Sequence, residues 1–396
     1  MTEPDTGKPI PEFRSRGSSA WRPLSETAGA DEAQKRAAKS NRDELHDVLL
    51  ASLQMQHLVV LAGSGCSLSA GGPSMRDLWI AAVGQEPNDE AKKVAAYVHQ
   101  DLEDKNIEAF LSRIESSLDV GADAAAAAFL NASKKVILAK CSEFLKGGSL
   151  NAHETFLHRL SRRRVRDQRL KVFTTNYDLC FERAAGALGG VALDGFSFAA
   201  PRHFDPRFFA YDIIRRPRSS EDLGNYLEGV FLLYKLHGSV NWARAQDGTI
   251  NEKEAPEPEE ACLIYPARGK YQQSFRQPHL EAMAQYLAAV REPNTCVLVV
   301  GFGFNDDHLS EPLLAAARSN PHLRLIIVDL HAKAKIDGPD KGNEYWGQFG
   351  DLGSRGEDIW FIAADFEALA QMIPDLRSLT PADTLMKAIR GVTREQ

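Results

Sequence analysis

Five short polar stretches follow apolar runs in this chain, and each carries residue types able to bind or transform a ligand. Gly63-Ser-Gly-Cys-Ser67 is the first. Glycines there let the backbone approach a phosphate, and free amides of the turn that follows bind an anion. The GxGxxG fingerprint is incomplete because Leu68 follows Ser67, so a tight strand-to-helix turn remains an equal reading. The second stretch, Thr174-Thr-Asn-Tyr-Asp178, ends an apolar run. Asn176 can donate and accept, so it can hold a water or a ribose hydroxyl. Asp178 can orient a neighbour, and either residue can instead cap the next helix. In the third, His237-Gly-Ser239, the imidazole can serve as a general base near neutral pH. A structural histidine is the plainer reading. The fourth stretch, Gly301-Phe-Gly-Phe-Asn-Asp-Asp-His308, is a second glycine-rich turn. Its contiguous Asp306, Asp307 and His308 do not fall on one face, so helix capping by Asn305 or Asp306 is preferred over metal binding. Last comes Asp329, whose carboxylate can accept both hydroxyls of an adenosine ribose or simply end a strand.

These residues need elements to position them. The segment His57-Leu-Val-Val-Leu-Ala62 is a short continuous apolar run, as are residues 170–174, 231–236, 262–265, 296–301, 323–329 and 359–362. Such runs read as buried parallel strands. Helical stretches separate them, and that alternation predicts a Rossmann-like α/β fold: a mostly parallel sheet with helices on both faces. Ligands of such sheets sit beyond the carboxyl ends of the strands, where the polar stretches fall.

The 396 residues exceed a typical single domain. Residues 1–40 lack apolar periodicity and are expected to form a disordered tail. A single domain over 41–380 is expected, with helical insertions at about 85–160 and 180–230, then a C-terminal tail at 381–396. Residues 246–261 read as an acidic exposed loop.

A net charge of −7 supplies no global attraction to nucleic acid or anionic membranes. The arginine clusters at 162–166 and 215–218 lack interleaved stacking aromatics, so a solvated face or subunit contact is preferred and direct nucleic-acid binding is not expected. No apolar run approaches the roughly 20 residues that span a bilayer, so no membrane association and a cytoplasmic location are expected. The five cysteines are scattered without a CxxC pair, so neither a zinc site nor a disulfide framework is expected.

Taken in order, Gly63-Ser-Gly-Cys-Ser67, Thr175-Asn-Tyr-Asp178, His237-Gly-Ser239 and Gly301-Phe-Gly-Phe304 resemble the signature loops of the sirtuin (silent information regulator two) family. The resemblance covers roughly residues 45–365. It departs from protein deacylases in three ways. No paired zinc cysteines follow His237, Gly72-Pro-Ser-Met-Arg-Asp-Leu-Trp79 replaces the GIPDFR segment, and the strand end reads Asn-Tyr-Asp rather than Asn-Ile-Asp. Those departures are similar to the divergent bacterial branch of antiphage defence proteins, including HerA-associated members, in which the domain hydrolyses NAD.

The resemblance implies NAD as substrate, with no metal. It implies catalytic roles for Asn176, His237 and Asp178. It implies nucleotide contacts from Gly63, Ser64, Gly65, Ser67, Thr175, Gly301 and Gly303, and less directly from Asp329. Asn176 would hold a water or the ribose hydroxyls, His237 would activate one of them, and Asp178 would position neighbours. An antiviral effector that depletes NAD, a homo-oligomer and a HerA-type hexameric ATPase partner are implied as well. The alternatives are an NAD-dependent protein deacylase and a non-catalytic module that binds NAD or ADP-ribose within an assembly.

Overall fold

A computed structural model describes residues 9–26, 29–164, 167–216, 226–265, 276–338 and 342–375. Two short strands, β1 (Glu12–Arg14) and β2 (Arg22–Pro23), precede α1 (Glu32–Leu53) and β3 (His57–Ala62). Two single turns of 3-10 helix lead to α2 (Met75–Ala82), α3 (Asp89–Tyr97), α4 (Ile107–Val120), α5 (Ala124–Glu143) and α6 (Asn151–Leu160). Next come β4 (Leu170–Thr174), α7 (Cys180–Ala187), β5 (Val191–Leu193), β6 (Val230–Lys235), β7 (Gly238–Arg244), β8 (Ile250–Glu252) and β9 (Ala261–Leu263). The chain continues through α8 (His279–Ala289), β10 (Thr295–Val300), α9 (Asp307–Ser319) and β11 (Leu323–Val328). It then forms α10 (Ala332–Asp337), α11 (Glu344–Ser354), β12 (Ile359–Ala363) and α12 (Phe366–Met372).

The main sheet runs β2-β1-β12-β11-β10-β3-β4-β6-β5. All of its pairings from β12 to β5 are parallel. From β3 the chain first builds outward through β4, β5 and β6, then returns to β3's other side with β10, β11 and β12. The switch point therefore lies between β3 and β10, which is where sheets of this class open a ligand crevice.

Successive side chains of a strand point to opposite faces, and β3 shows why both faces must be covered. Leu58, Val60 and Ala62 pack into one core with α1, α6, α7 and α12. Val59 and Leu61 pack into a second core with α8, α9, α10 and α11. This is the doubly covered α/β fold that continuous apolar strands require.

Several expectations are corrected. Residues 9–40 are not a disordered tail where the structure describes them. Phe13 of β1 is buried and pairs with Ile362 on β12, extending the sheet antiparallel. Helix α1 begins at Glu32, inside that span, because Asp31 and Gln34 close a reciprocal capping box. Residues 1–8 and the 381–396 tail lie outside the described residues. The insertion expected at 85–160 lies earlier, from Met75 to Glu143. Helices α2 to α5 share a core of their own, whereas α6 covers the main sheet.

Residues 180–230 are not a helical insertion. Apart from a five-residue 3-10 turn, their one described helix, α7, packs on the sheet, and β5 extends its edge. The run at 262–265 does form a strand, β9, but it joins β7 and β8 in a small antiparallel sheet. Part of the acidic loop at 246–261 is β8 in that same sheet. One arginine of the 162–166 cluster, Arg163, is a carbonyl cap and not part of a solvated face, and Arg159 on α6 plays the same part. Buried Arg163 donates to the carbonyls of Leu53, Met55 and Gln56, and Arg159 to those of Ala370, Gln371 and Ile373. Both satisfy groups that a helix end leaves without partners.

One core residue gives the fold a titratable weakness. His153 on α6 is fully buried between Phe181 and Phe366, and neither ring nitrogen has a hydrogen-bond partner. Burial drives its pKa down to about 4 from 6.5, against an opposing pull from Asp178. The neutral form is the one the fold holds. Its contribution is therefore complete above the unfolded pKa and is lost as pH falls from 6.5 towards 4. At pH 5 that loss is about 2 kcal/mol. His279 titrates with the same sign. Replacing His153 with Leu is expected to shrink the stability lost between pH 7 and pH 5 by about 2 kcal/mol, read from denaturant midpoints at each pH. An unchanged pH dependence would contradict the burial argument.

Candidate functional site

Four adjacent strands, β10-β3-β4-β6, carry the four signature loops, and they end in register. Val300 pairs with Ala62, Ala62 with Thr174, and Thr174 with Lys235. The polar stretches therefore emerge side by side along one edge of the sheet. They line a pocket of about 900 Å³, its solvent-filled mouth included. Gly63, Ser64, Ser67, Thr175, Asn176, Asp178, His237, Gly301 and Gly303 all line it.

The glycines at the switch point are required by contact between the two loops. A Cβ on Gly65 would stand 2.6 Å from the Gly301 Cα, and one on Gly63 would stand 2.5 Å from the Gly301 carbonyl oxygen. The Gly65 N–H donates to that carbonyl at 3.0 Å. Gly301 itself has a φ of +58°, which favours glycine. Gly65 is thus a packing residue beneath the pocket and does not line it. The turn after Gly301 is held by α11. Asn343 donates to the carbonyls of Gly303 and Phe304, while Trp346 and Phe349 pack on the Phe304 ring. Phe304 keeps a φ of +58° inside this packing.

Asn176 is buried and fully oriented by the first loop. Its side-chain amide donates to the Gly63 carbonyl and to Ser67 Oγ, both at 2.9 Å. Those bonds use both N–H groups, so a ligand meets the amide oxygen Oδ1. Ser67 Oγ donates in turn to Asp178 Oδ2 at 2.6 Å. The other oxygen of Asp178 accepts the Cys180 N–H at 3.0 Å. Asp178 therefore serves both readings, as support for the Asn176–Ser67 pair and as a bond to the first residue of α7. His237 is buried, lines the pocket and meets His308 Nε2 through its own Nε2 at 3.4 Å.

Two residues fall elsewhere than expected. Asp329 does not line the pocket. Its carboxylate accepts the His331 N–H at 2.8 Å and pairs with Lys335 at 2.7 Å. Asp306 is the N-cap of α9 but makes no side-chain capping bond, and with Asn305 it faces the pocket instead. Among the described residues no group of three or more His, Cys, Asp or Glu is placed to hold a metal ion. All five cysteines are free and buried. One of them, Cys141, lines the pocket with its thiol pushed up to about 12 by burial and then by Asp178.

A SIR2-like domain family profile matches residues 170–346, which include Asn176, Asp178, His237, Gly301 and Gly303. That segment is SIR2-like. No curated protein matches the chain. Among solved structures it is similar to a Sir2 homologue–NAD complex at 12% identity, covering 84% of this chain and 94% of that one with a TM-score of 0.41. It is similar also to a mutant Sir2 homologue in complex with 2'-O-acetyl ADP ribose, at 14% identity, 84% and 96% coverage and a TM-score of 0.41. A third, from a study of sirtuin substrate affinity, shares 14% identity over 83% of this chain and 96% of that one, with a TM-score of 0.40.

The pocket contains residues that motif reading passes over. Glu108 reaches it from α4, and Pro73, Met75 and Leu78 from α2 and the turn before it. No motif marks them, because they arrive from the helical module. Lys235 is missed for another reason. As the last residue of an apolar strand it looks like a solvent-facing terminus, yet its side chain is 1% exposed. Its ammonium donates to the backbone carbonyls of Tyr177 and Asp178 and pairs with Glu182 at 3.1 Å. It thereby fixes the backbone that carries Asn176 and Asp178. Burial pushes the Glu182 carboxyl up, and Lys235 pulls against that shift. Breaking a buried pair by removing one partner typically costs about 3–5 kcal/mol. Lys235→Met is expected to lower stability by about 3 kcal/mol in denaturant unfolding and to weaken ligand binding at the pocket. Wild-type stability in that variant would refute the clamp.

Proposed function

We propose that this protein is an NAD hydrolase that cleaves the nicotinamide–ribose bond to give nicotinamide and ADP-ribose. The observation that carries the reading is the convergence of Asn176 and His237 on one pocket, with Asn176 oriented by the first glycine loop.

Nicotinamide leaves as a neutral molecule from a cationic pyridinium, through an oxocarbenium-like state. Opposite charge nearby stabilises such a state. Glu108, Asp178 and Asp306 line the pocket, and no lysine or arginine does so among the described residues. That balance suits a cationic reacting end. The pyrophosphate is then left to those backbone N–H groups of the glycine loops that do not already bond the loops together. Asn176 Oδ1 accepts from one ribose hydroxyl or from one O–H of the attacking water, and His237 takes a proton from the other hydroxyl or the water's second O–H. Asp178 acts through Ser67, keeping the Asn176 amide turned. The leaving group needs no Lewis acid.

In the cell such an activity fits an antiphage effector that works by depleting NAD. Control by self-assembly into a homo-oligomer, or by a HerA-type hexameric ATPase partner, completes the proposal, since an unregulated NAD hydrolase would harm its host. Size-exclusion and pull-down with that ATPase test the assembly; a stable monomer that retains no partner would refute it.

The decisive assay is nicotinamide release from NAD by the purified protein, with and without an acyl-lysine peptide. Release without peptide supports hydrolysis, and release only with peptide would replace it by deacylation. Asn176→Ala and His237→Ala are each expected to lower turnover by about 10²–10⁴-fold. Wild-type turnover in both would overturn the assignment.

A further inference from the structure

His308 shares the Gly301 turn with residues that line the pocket, yet does not itself line it. It stands in the first turn of α9 and is 7% exposed. Its neighbours on either side are pinned. Tyr345 donates to the Asp307 carboxylate at 3.3 Å, and the Tyr286 hydroxyl donates to the Leu309 carbonyl at 2.8 Å. The imidazole is thereby brought to His237, ring centroids 5.5 Å apart and planes tilted by 31°. The two Nε2 atoms are 3.4 Å apart.

A hydrogen bond between two ring nitrogens constrains both rings. A neutral imidazole has one N–H and one lone pair. One of the two Nε2 atoms must then carry the proton and the other must accept it. If His308 donates, the His237 lone pair at Nε2 is already engaged. If His308 accepts, His237 is held as its Nε2–H tautomer and its lone pair lies on Nδ1. The second arrangement also improves during the reaction. Once His237 takes a proton on Nδ1 it becomes an imidazolium, and its Nε2–H bond to neutral His308 becomes charge-assisted and stronger. The helix N-terminus under His308 disfavours positive charge on its ring, so the charge formed in the reaction stays on His237.

We propose that His308 is the positioning residue of His237: it accepts the Nε2–H, fixes the tautomer and ring orientation, and stabilises the imidazolium that forms. The arrangement follows the logic by which a buried acceptor orients a catalytic histidine, with an uncharged imidazole as the acceptor. As an account of catalysis it rests on the NAD-cleaving reading above, whereas the tautomer is a property of the protein by itself.

The test uses the full chain labelled with 15N-histidine, with long-range 1H–15N spectra to read each imidazole's tautomer. His237→Ala serves only to assign the His237 signals. His237 is expected as the Nε2–H tautomer in the wild type. In His308→Ala that single-tautomer pattern should be lost, and kcat for nicotinamide release should fall by about 10²-fold with KM changed less than about twofold. His308→Gln keeps an acceptor near the Nε2 position, and should restore the tautomer and part of kcat. An Nδ1–H tautomer of His237 in the wild type, or a His237 spectrum indifferent to His308→Ala, would overturn the proposal. If His308→Ala does not fold, the wild-type and His308→Gln spectra decide. A wild-type protein that releases no nicotinamide, by itself or with the ATPase, would refute the proposed function, while its spectra would still decide the pairing.

Discussion

The contact between two glycine turns at the switch point sets the rest of the site. Gly63 and Gly65 lie against Gly301 so closely that a side-chain carbon on any of them would meet backbone. Two hydrogen bonds, from the Gly63 N–H to the Val300 carbonyl and from the Gly65 N–H to the Gly301 carbonyl, lock the turns together at 3.0 Å each. This contact fixes where the Gly63 carbonyl and Ser67 hydroxyl stand. Those two groups take both N–H groups of Asn176, so the side of its amide turned to the ligand follows from a backbone packing constraint. A buried polar group left without partners would cost about 1–3 kcal/mol, which is why the chain from Gly63 through Asn176 and Ser67 to Asp178 is closed by hydrogen bonds.

The second loop needs support from below as well. The carbonyls of Tyr177 and Asp178 both meet the ammonium of buried Lys235. The Tyr177 hydroxyl donates to the Ile264 carbonyl at 2.6 Å, tying the turn to the segment after β9. Its ring packs against the core of α2 to α5. The helical module and the small antiparallel sheet are therefore joined to the same turn that presents Asn176. They also bring Glu108 and the apolar rim to the pocket. The parallel sheet supplies the floor of this site, and the module supplies part of its walls.

Much of this was legible in the residues. Continuous apolar runs identified the parallel strands, because a strand covered on both faces has no polar side to show. Polar clusters after those runs identified Asn176, Asp178, His237 and both glycine turns, because chemistry in such sheets gathers at carboxyl ends. Short elements were less legible. β1, β2 and β8 have two or three residues each and owe their existence to pairing partners distant in sequence, such as Ile362 opposite Phe13. Asp329 misled because a carboxylate at a strand end looks the same whether it meets a ribose or Lys335. Lys235 and His308 were hidden because their significance lies in a single through-space neighbour.

The sequence by itself determined six of the parallel strands, the order of the loops and the residue types able to do chemistry, since these are set by local periodicity and by side-chain chemistry. Only the tertiary structure decided that β10, β3, β4 and β6 stand side by side and end in register. It alone decided that Gly65 packs where it was expected to bind, that Asn176 presents its oxygen, and that His308 meets His237. The reason is physical. Pairing order and close contact depend on chain segments that meet only after folding, and one residue's spacing from its sequence neighbours carries no record of them.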